Sequence, residues 1–368
     1  MLSVDRPVCD TDHSLLPDSH LAWSSSYKSS PNGTRESDGV SFFIIQGLTS
    51  LGDKQMILFV FLLLGYIIIL GGNSMIIFVV QVKATLMSAT CLLSALTDPK
   101  LSSPMYFFLS NLSFVDMFYT TTTIPKMLSS FLSDTTTISV PNCFLQMFFF
   151  IQLSVTSRSI LTVMAFDRYV AICNPLRYTS IMTWRVQLFL IAGAWSFSTI
   201  CTSPATIMAL CQPYCGPNVV THGWCDPSSV RRLACADTSV DAIVSLSFAL
   251  VALLTTGVLI LSSYVLIGIS ISRMGVTERL KAFGTCAAHL TVVTISYTAA
   301  SFVYISYRVV NFSPEVRIIV AVVYAVLTPF LNPVIYSLRN KELRDSIRRT
   351  LSRFRSAVSA TKDINTVS

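Results

Sequence analysis

Seven long apolar segments restrict the possible folds of this chain more than any other feature of its sequence. The first, residues 56–80, has no charged side chain and is longer than the roughly 20 residues that a helix needs to cross the hydrocarbon of a bilayer. Backbone polar groups inside lipid have to bond to one another, which favours a helix for each segment. The other six predicted spans are residues 105–124, 143–166, 186–210, 242–271, 287–304 and 318–338.

The composition supports a membrane protein. Only 12% of the 368 residues are charged and 52% are hydrophobic, whereas a soluble domain has about a quarter charged residues. The expected fold is therefore an all-α membrane protein, a bundle of seven transmembrane helices in contact with lipid. The net charge of +7 does not indicate a nucleic-acid partner, because most basic residues fall in connections on one side of the membrane.

The same basic residues give the expected orientation. Cytoplasmic connections carry an excess of Lys and Arg, so the face that holds these residues is predicted to be cytoplasmic. An odd number of spans then puts the amino terminus outside and the carboxyl terminus inside, in a multi-pass protein of the plasma membrane. The basic residues of this face are Lys83, Lys100, Arg177, Arg185, Arg273, Arg279 and Lys281 and, in the tail, Arg344, Arg348, Arg349, Arg353 and Arg355.

The chain divides into a predicted extracellular tail at residues 1–55, a membrane domain at 56–338 and a cytoplasmic tail at 339–368. Residues 1–31 are rich in Ser and Asp and lack the apolar core of a secretory signal, so we expect them to be disordered and the first span to act as the signal anchor. The sequon at Asn32 predicts glycosylation on the outside, with a chance sequon as the alternative.

The cytoplasmic tail contains a predicted amphipathic helix at about residues 341–355. Leu343, Ile347, Leu351 and Phe354 recur at helical spacing, and arginines occupy the positions between them. A basic helix of this kind lies on the inner membrane surface. An unstructured basic tail is the alternative.

Four cysteines fall on the predicted extracellular side. Cys215, Cys225 and Cys235 stand at ten-residue intervals in the loop after the fourth span, and Cys143 opens the third span. Thiols in an oxidising compartment favour disulfides, here two. Spacing alone leaves three pairings open, and a metal site is the competing interpretation.

Six short motifs occur in order, each in a span or at its end, and together they resemble the odorant (olfactory) receptor family of rhodopsin-like, or class A, G-protein-coupled receptors. The resemblance covers roughly residues 32 to 355. The motifs are GN at 72–73, PMYFFL at 104–109, MAFDRYVAIC at 164–173, SY at 263–264, KAFGTCAAHL at 281–290 and PFLNPVIYSLRN at 329–340.

The resemblance implies a receptor that binds small, mostly apolar odorants in a cavity on the extracellular side and activates a stimulatory heterotrimeric G protein that raises cyclic AMP. It pairs Cys143 with Cys225, and Cys215 with Cys235. It also implies that Asp167 holds Arg168 at rest and that Arg168 turns toward the G protein when the sixth helix moves outward. The implied switch consists of Asp167, Arg168, Tyr169, Tyr264, Asn332, Pro333 and Tyr336.

The predicted ligand cavity begins on the third span. Its residues Phe150, Ile151, Ser154 and Val155 share one helical face, and the resemblance places odorants against that face. Ordinary helix packing is the alternative for each residue. The same resemblance adds Phe248 and Ala252 on the fifth span, and Tyr297, Ala300, Ser301 and Tyr304 on the sixth.

Charged groups inside a membrane are costly, so Asp116 and Arg158 require an account. By resemblance, Asn73, Asp116, Asn332 and Tyr336 form a polar core that links the cavity to the cytoplasmic face. Arg158 departs from the family, where an acidic or neutral residue is usual. At about 1.5 Å per residue, Asp116 and Arg158 both reach the middle of the membrane. We expect them to pair where related receptors hold a sodium ion, with an Arg158 facing a watery cavity as the alternative.

Several other functions are less favoured. A class A receptor for another small molecule or a peptide is the nearest alternative, and a transporter or channel is the remote one, although no repeated pair of broken helices is evident. A retinal-binding opsin would need a lysine that the seventh span lacks. No enzyme, cofactor or catalytic metal is expected, because the four histidines, His13, His20, His222 and His289, are scattered without metal spacing or a nucleophile.

The connection between Asn73 and Pro104 is longer than is usual in the family. The excess lies around residues 83–97 and is rich in Ala, Leu and Ser. A longer first loop, an extension of the first helix and an error in the inferred coding sequence are all compatible with it.

Overall fold

The computed structural model describes residues 40–47, 54–89, 103–133, 136–215, 217–308, 314–339, 343–350 and 352. The predictions for residues 1–31, for Asn32 and for the end of the cytoplasmic tail lie outside these residues.

Seven long helices in the described part each contain one predicted span, which confirms the predicted helices. Two of them, α2 and α3, have a proline in the first turn. This position suits proline because its φ is already helical and its missing N–H would have no partner there. The helices are α1 (Lys54–Ala89), α2 (Pro104–Leu132), α3 (Val140–Cys173), α4 (Trp184–Cys211), α5 (Ser239–Ser272), α6 (Val276–Arg308) and α7 (Pro314–Arg339).

Within the described residues, all of these helices except α2 are long and apolar enough to cross a membrane. The exception is more polar because it contains Asp116 and a run of threonines at 120–123. The outer faces of α1 and α5 expose large apolar side chains, including Phe61 at 69% and Leu261 at 65%. A continuous apolar exterior of this size is unusual for a soluble monomer, and lipid is the solvent that suits it.

The third helix lies at the centre of the bundle. It contacts α2, α4, α5 and α6, while α1 packs at the edge against α2 and α7. Buried residues therefore occupy most sides of α3, among them Ile160, Leu161 and Met164. Residues on α3 can consequently contact several helices at once, which makes this helix the main support of any internal site.

A small sheet on the outside of the bundle is an addition to the predicted all-α fold. Strand β1 (Phe42–Ile45) lies between β2 (Thr136–Ser139), to which it is antiparallel, and β3 (Val219–Val220), to which it is parallel. Two residues of β1, Phe43 and Ile45, are buried and pack on Cys143 and Val220. Part of the predicted extracellular tail thus forms a strand that covers the bundle.

Two connections on the side that is predicted to be cytoplasmic are partly described. The first helix continues to Ala89, past the predicted end at residue 80, so helix extension accounts for part of the excess segment. Residues 90–102 lie outside the described part. After α7, residues 343–350 are helical, with Leu343 fully buried and Arg348 and Arg349 exposed. This distribution agrees with the predicted amphipathic helix.

Candidate functional site

A cavity of about 270 Å³ lies between α3, α4, α5, α6 and α7, near the helix ends that are predicted to be extracellular. Its lining is mostly apolar with a few hydroxyls and charged groups, which is typical of a small-molecule site. Seven of the ten predicted ligand residues line it: Phe150, Ile151, Ser154, Val155, Phe248, Ala252 and Ala300.

The remaining three predicted ligand residues are not among the described lining residues of the cavity. The Tyr297 hydroxyl donates to Thr256 Oγ1 over 2.7 Å, which holds α6 against α5, and Ser301 is exposed. The side chain of Tyr304 lies outside the described part. Since each helical residue is turned by about 100° from the last, Ser301 points away when Ala300 points inward. One turn along α6 from Ala300, Val303 lines the cavity instead.

The loop between α4 and α5 roofs the cavity, and it supplies lining residues that were not among the predicted ligand residues. Trp224 and Asp226 line the cavity together with the short helix Pro227–Arg231. The Asp226 carboxylate accepts hydrogen bonds from the backbone N–H groups of Ser228 (3.0 Å) and Ser229 (3.1 Å), and so caps this helix. The sequence did contain the signal, an Asp followed directly by Pro at a helix start, but it could not show that the helix faces the cavity.

Two disulfides hold this loop. One joins Cys143 of α3 to Cys225, with their Cα atoms 5.4 Å apart, and the other joins Cys215 to Cys235. These are the two pairs that the resemblance implied. The first pair is fully buried beneath the sheet and fixes the roof directly to α3.

Aromatic rings connect the roof to the helices. Tyr119 of α2 stacks on Phe150 with ring centroids 5.2 Å apart, and Phe150 lies 5.3 Å from Trp224. Trp224 in turn meets the His222 ring edge to face at 4.3 Å. A ligand that displaces Phe150 would therefore also displace Tyr119 of α2 and Trp224 of the loop.

The buried His222 predicts that the roof is sensitive to acid. Burial lowers the pKa of His222 below its usual 6.5, although the charge of Asp226 opposes this effect. The unfolded state then binds the proton more readily than the folded one, so stability is full above pH 6.5 and falls as the pH drops from 6.5 toward the lower pKa of the folded state. We expect detergent-solubilised receptor to melt at lower temperature at pH 5.5 than at pH 7.5, and His222→Gln to reduce that difference. An equal pH dependence in the variant would contradict this account.

The deep end of the cavity carries a polar cluster. Arg158 Nη1 donates to the Tyr324 hydroxyl over 2.9 Å, and Ser154 Oγ lies 3.2 Å from the same hydroxyl. Asp116 Oδ2 accepts from Asn332 Nδ2 at 2.6 Å. Arg158 and Asp116 both line a second, small cavity of about 20 Å³. In place of the predicted direct pair, Asp116 and Arg158 line the same small polar cavity, and the guanidinium of Arg158 points toward Tyr324 of α7.

The remaining polar core is organised around Pro333. Proline has no N–H, so the carbonyl of residue 329, four positions earlier, loses its helical donor. Asn73 Nδ2 donates to that Pro329 oxygen over 3.2 Å and to Ile69 O over 2.9 Å. A Cβ at Gly72 would lie 3.1 Å from the Pro333 ring, so glycine permits the close approach of α1 and α7. The motifs at 72–73 and 329–340 therefore meet in space.

Asp167 and Arg168 lie near the carboxyl end of α3, the end that is predicted to be cytoplasmic. Arg168 pairs with Asp167 through Nη2 and through Nε, the latter at 3.0 Å, and Asp167 is fully buried. The Tyr178 hydroxyl in the following loop donates to the other carboxylate oxygen at 2.7 Å. Burial first, and the Asp167 charge second, raise the pKa of Tyr178, which keeps the hydroxyl protonated as a donor. Sequence reasoning had not included Tyr178.

His289 of α6, which sequence reasoning set aside, joins three helices. Its Nε2 lies 2.9 Å from Leu161 O of α3 and its Nδ1 lies 2.7 Å from the Tyr264 hydroxyl of α5. A carbonyl can only accept, so Nε2 carries the proton, and Nδ1 of the neutral ring accepts from the tyrosine. Tyr264, a predicted switch residue, is thereby tied to the helix expected to move.

Comparisons with known proteins agree with this geometry. The olfactory receptor family model matches residues 61–354. Human olfactory receptor 6N1 is 42% identical over 317 residues, which is 85% of this chain and 96% of that protein. Human olfactory receptor 10J4 is 41% identical over 302 residues, 81% of this chain and 91% of that one. The crystal structure of squid rhodopsin superposes with a TM-score of 0.60 at 18% identity, covering 80% of this chain and 84% of its own, and so supports the fold alone.

Proposed function

This chain belongs to the olfactory receptor family of rhodopsin-like G-protein-coupled receptors, and we propose on that basis that its cavity binds small, mostly apolar odorants. As a member of the family it is a multi-pass membrane receptor and not an enzyme. The observation that carries the proposal is the cavity of about 270 Å³, whose lining is mostly apolar with a few hydroxyl and charged groups. Such a site binds by burial of apolar surface and orients the ligand through a few hydrogen bonds.

The proposal assigns the opposite ends of the helices to a stimulatory heterotrimeric G protein. The buried Asp167–Arg168 pair at the end of α3 supports this assignment, because such a pair can release a cation toward a partner. Basic residues around the same ends favour a cytoplasmic location, with the amino terminus outside. Agonist binding would then raise cyclic AMP.

Filling the cavity tests the proposed site. Ala252 of α5 lines the cavity and is 3% exposed, so phenylalanine there would occupy ligand space. In cells that display the full chain at their surface, an odorant panel should raise cyclic AMP. Ala252→Phe should increase the half-maximal odorant concentration on the order of tenfold or more, since the lost burial is worth about 1.5–3 kcal/mol.

The matched control adds the same ring to the lipid-facing side of α5. Leu254 is 60% exposed, so Leu254→Phe should leave the response unchanged. Equal losses in both variants would point to general damage to α5 and reject the cavity as the site. Silence of the unmodified chain toward every odorant, at verified surface expression, would contradict the proposed function itself.

A further inference from the structure

A cation lies at the deep end of an otherwise apolar cavity. Arg158 is 7% exposed and is the cavity-lining residue of α3 closest to the cytoplasm. Tyr324 of α7, Ala252 of α5 and Ala300 of α6 line the same cavity. A charge inside the bilayer is expensive to keep, so such a residue is a functional candidate by default.

The polar groups around Arg158 converge on one point. Its Nη1 donates to the Tyr324 hydroxyl over 2.9 Å, and Ser154 Oγ approaches that hydroxyl at 3.2 Å. A guanidinium, a phenol and an alcohol from two helices thus form one hydrogen-bonding cluster. Above it, Val155, Ile151 and Phe248 give the cavity apolar walls. A ligand that fits both parts has one strongly polar end and one hydrocarbon end.

The charges of the cavity favour an anion. Two arginines, Arg158 and Arg231, and one acid, Asp226, are among its described lining residues. Asp226 belongs to the outer rim, and its carboxylate is held by the N–H groups of Ser228 and Ser229. Among the described residues that line this cavity, the charge at the deep end is the cation of Arg158, which would repel an amine ligand and attract a carboxylate.

We infer that the cavity is selective for small aliphatic carboxylic acids, bound as anions with the carboxylate at Arg158 and the hydrocarbon chain directed toward Phe150 and Phe248. This inference rests on the proposed odorant function and deepens it. The planar guanidinium matches the two oxygens of a carboxylate, and its charge-assisted hydrogen bonds are about twice as strong as neutral ones. The Ser154 and Tyr324 hydroxyls complete the polar end.

The competing account is internal neutralisation. Asp116 shares the small polar cavity with Arg158, and its carboxylate already accepts from Asn332 at 2.6 Å. If Asp116 alone balanced Arg158, the large cavity would prefer neutral odorants. The two accounts differ in the selectivity of the receptor between an acid and the alcohol of the same chain length.

The test compares acids with matched alcohols. Cells that display the full chain receive the series from propanoic to decanoic acid and the corresponding alcohols, with cyclic AMP as the readout and a surface stain for each variant. We expect the best acid to act at a concentration on the order of tenfold or more below its alcohol, since a hydrogen bond to a charged group is worth roughly 1.5–3 kcal/mol. Arg158→Gln should abolish this preference, and Arg158→Lys should keep part of it. Arg232→Gln, at an exposed arginine of the same loop that is not among the described lining residues of the cavity, should leave it unchanged.

The outcomes distinguish a failure of the inferred acid selectivity from a failure of the proposed odorant function. A wild-type receptor that answers alcohols as well as acids overturns the acid selectivity and leaves the odorant function standing. A receptor at the surface that answers no odorant overturns both. If Arg158→Gln does not reach the surface, Ser154→Ala and Tyr324→Phe decide: a reduced acid preference supports the inference, and an unchanged preference overturns it.

Discussion

A receptor that carries Arg168→Leu is expected to reach the cell surface and to show no odorant-evoked rise in cyclic AMP. Arg168 contributes the only cation of the buried Asp167 cluster among the described contacts, through Nη2 and through Nε at 3.0 Å. Leucine keeps the apolar stem and removes the group proposed to meet the G protein. The measurement is evoked cyclic AMP normalised to surface staining, and a response within twofold of wild type would contradict the assigned role.

The restraint on Arg168 can be weakened in steps. Asp167→Asn removes the anion, and Tyr178→Phe removes only the hydrogen bond that Tyr178 donates to Asp167 over 2.7 Å. A hydrogen bond to a charged group is worth roughly 1.5–3 kcal/mol, which is enough to shift a two-state equilibrium on the order of tenfold or more. Basal cyclic AMP should therefore rise in both variants, more in Asp167→Asn. Unchanged basal levels in both would show that this cluster does not hold the resting state.

The sequence predicted the seven helices well because each one has to satisfy its backbone within lipid and to present apolar side chains. The small sheet could not be predicted in the same way. β1 has four residues, and its partners β2 and β3 are far away in the chain, so no local periodicity marks their pairing. The alternation typical of a strand is visible only in the structure, where Phe43 and Ile45 are buried and their neighbours are more exposed.

The predicted ligand residues line the cavity where the face of a single helix determines their position. The prediction failed where the position depends on how two elements pack. Phe150, Ile151, Ser154 and Val155 follow from the face of α3 alone. The orientation of α6 depends on its packing, and the bond from Tyr297 to Thr256 turns that tyrosine out of the lining. The partner of Arg158 was also missed, because a depth along two helices gives no information on rotation about their axes.

The polar core shows how separate motifs become one structure. Pro333 leaves the carbonyl of Pro329 without a helical donor, and Asn73 of another helix supplies one over 3.2 Å. Three positions further along α7 than Pro329, Asn332 reaches Asp116 at 2.6 Å. These two hydrogen bonds tie α1, α2 and α7 together beside the acid-binding end proposed for the cavity. A ligand that moves Tyr324 of α7 would therefore act on the helix that carries this network, and we propose that this couples the cavity to the face predicted to be cytoplasmic.

Loss of the Cys143–Cys225 disulfide is expected to have the largest effect on the folded receptor. The loop-closure relation gives about 4.5 kcal/mol for its separation of 82 residues and about 3.3 kcal/mol for the 20 residues between Cys215 and Cys235. Both figures are upper values, because α3 and α4 stay helical in lipid when tertiary contacts are lost. Cys143→Ser with Cys225→Ser should reduce surface expression and odorant response more than Cys215→Ser with Cys235→Ser. Loss of the first bond should also disturb the cavity, because Trp224, next to Cys225, closes the cavity against Phe150. Equal expression of the two double variants and wild type would show that the sheet and the buried cluster around Phe43 hold the roof without either bond.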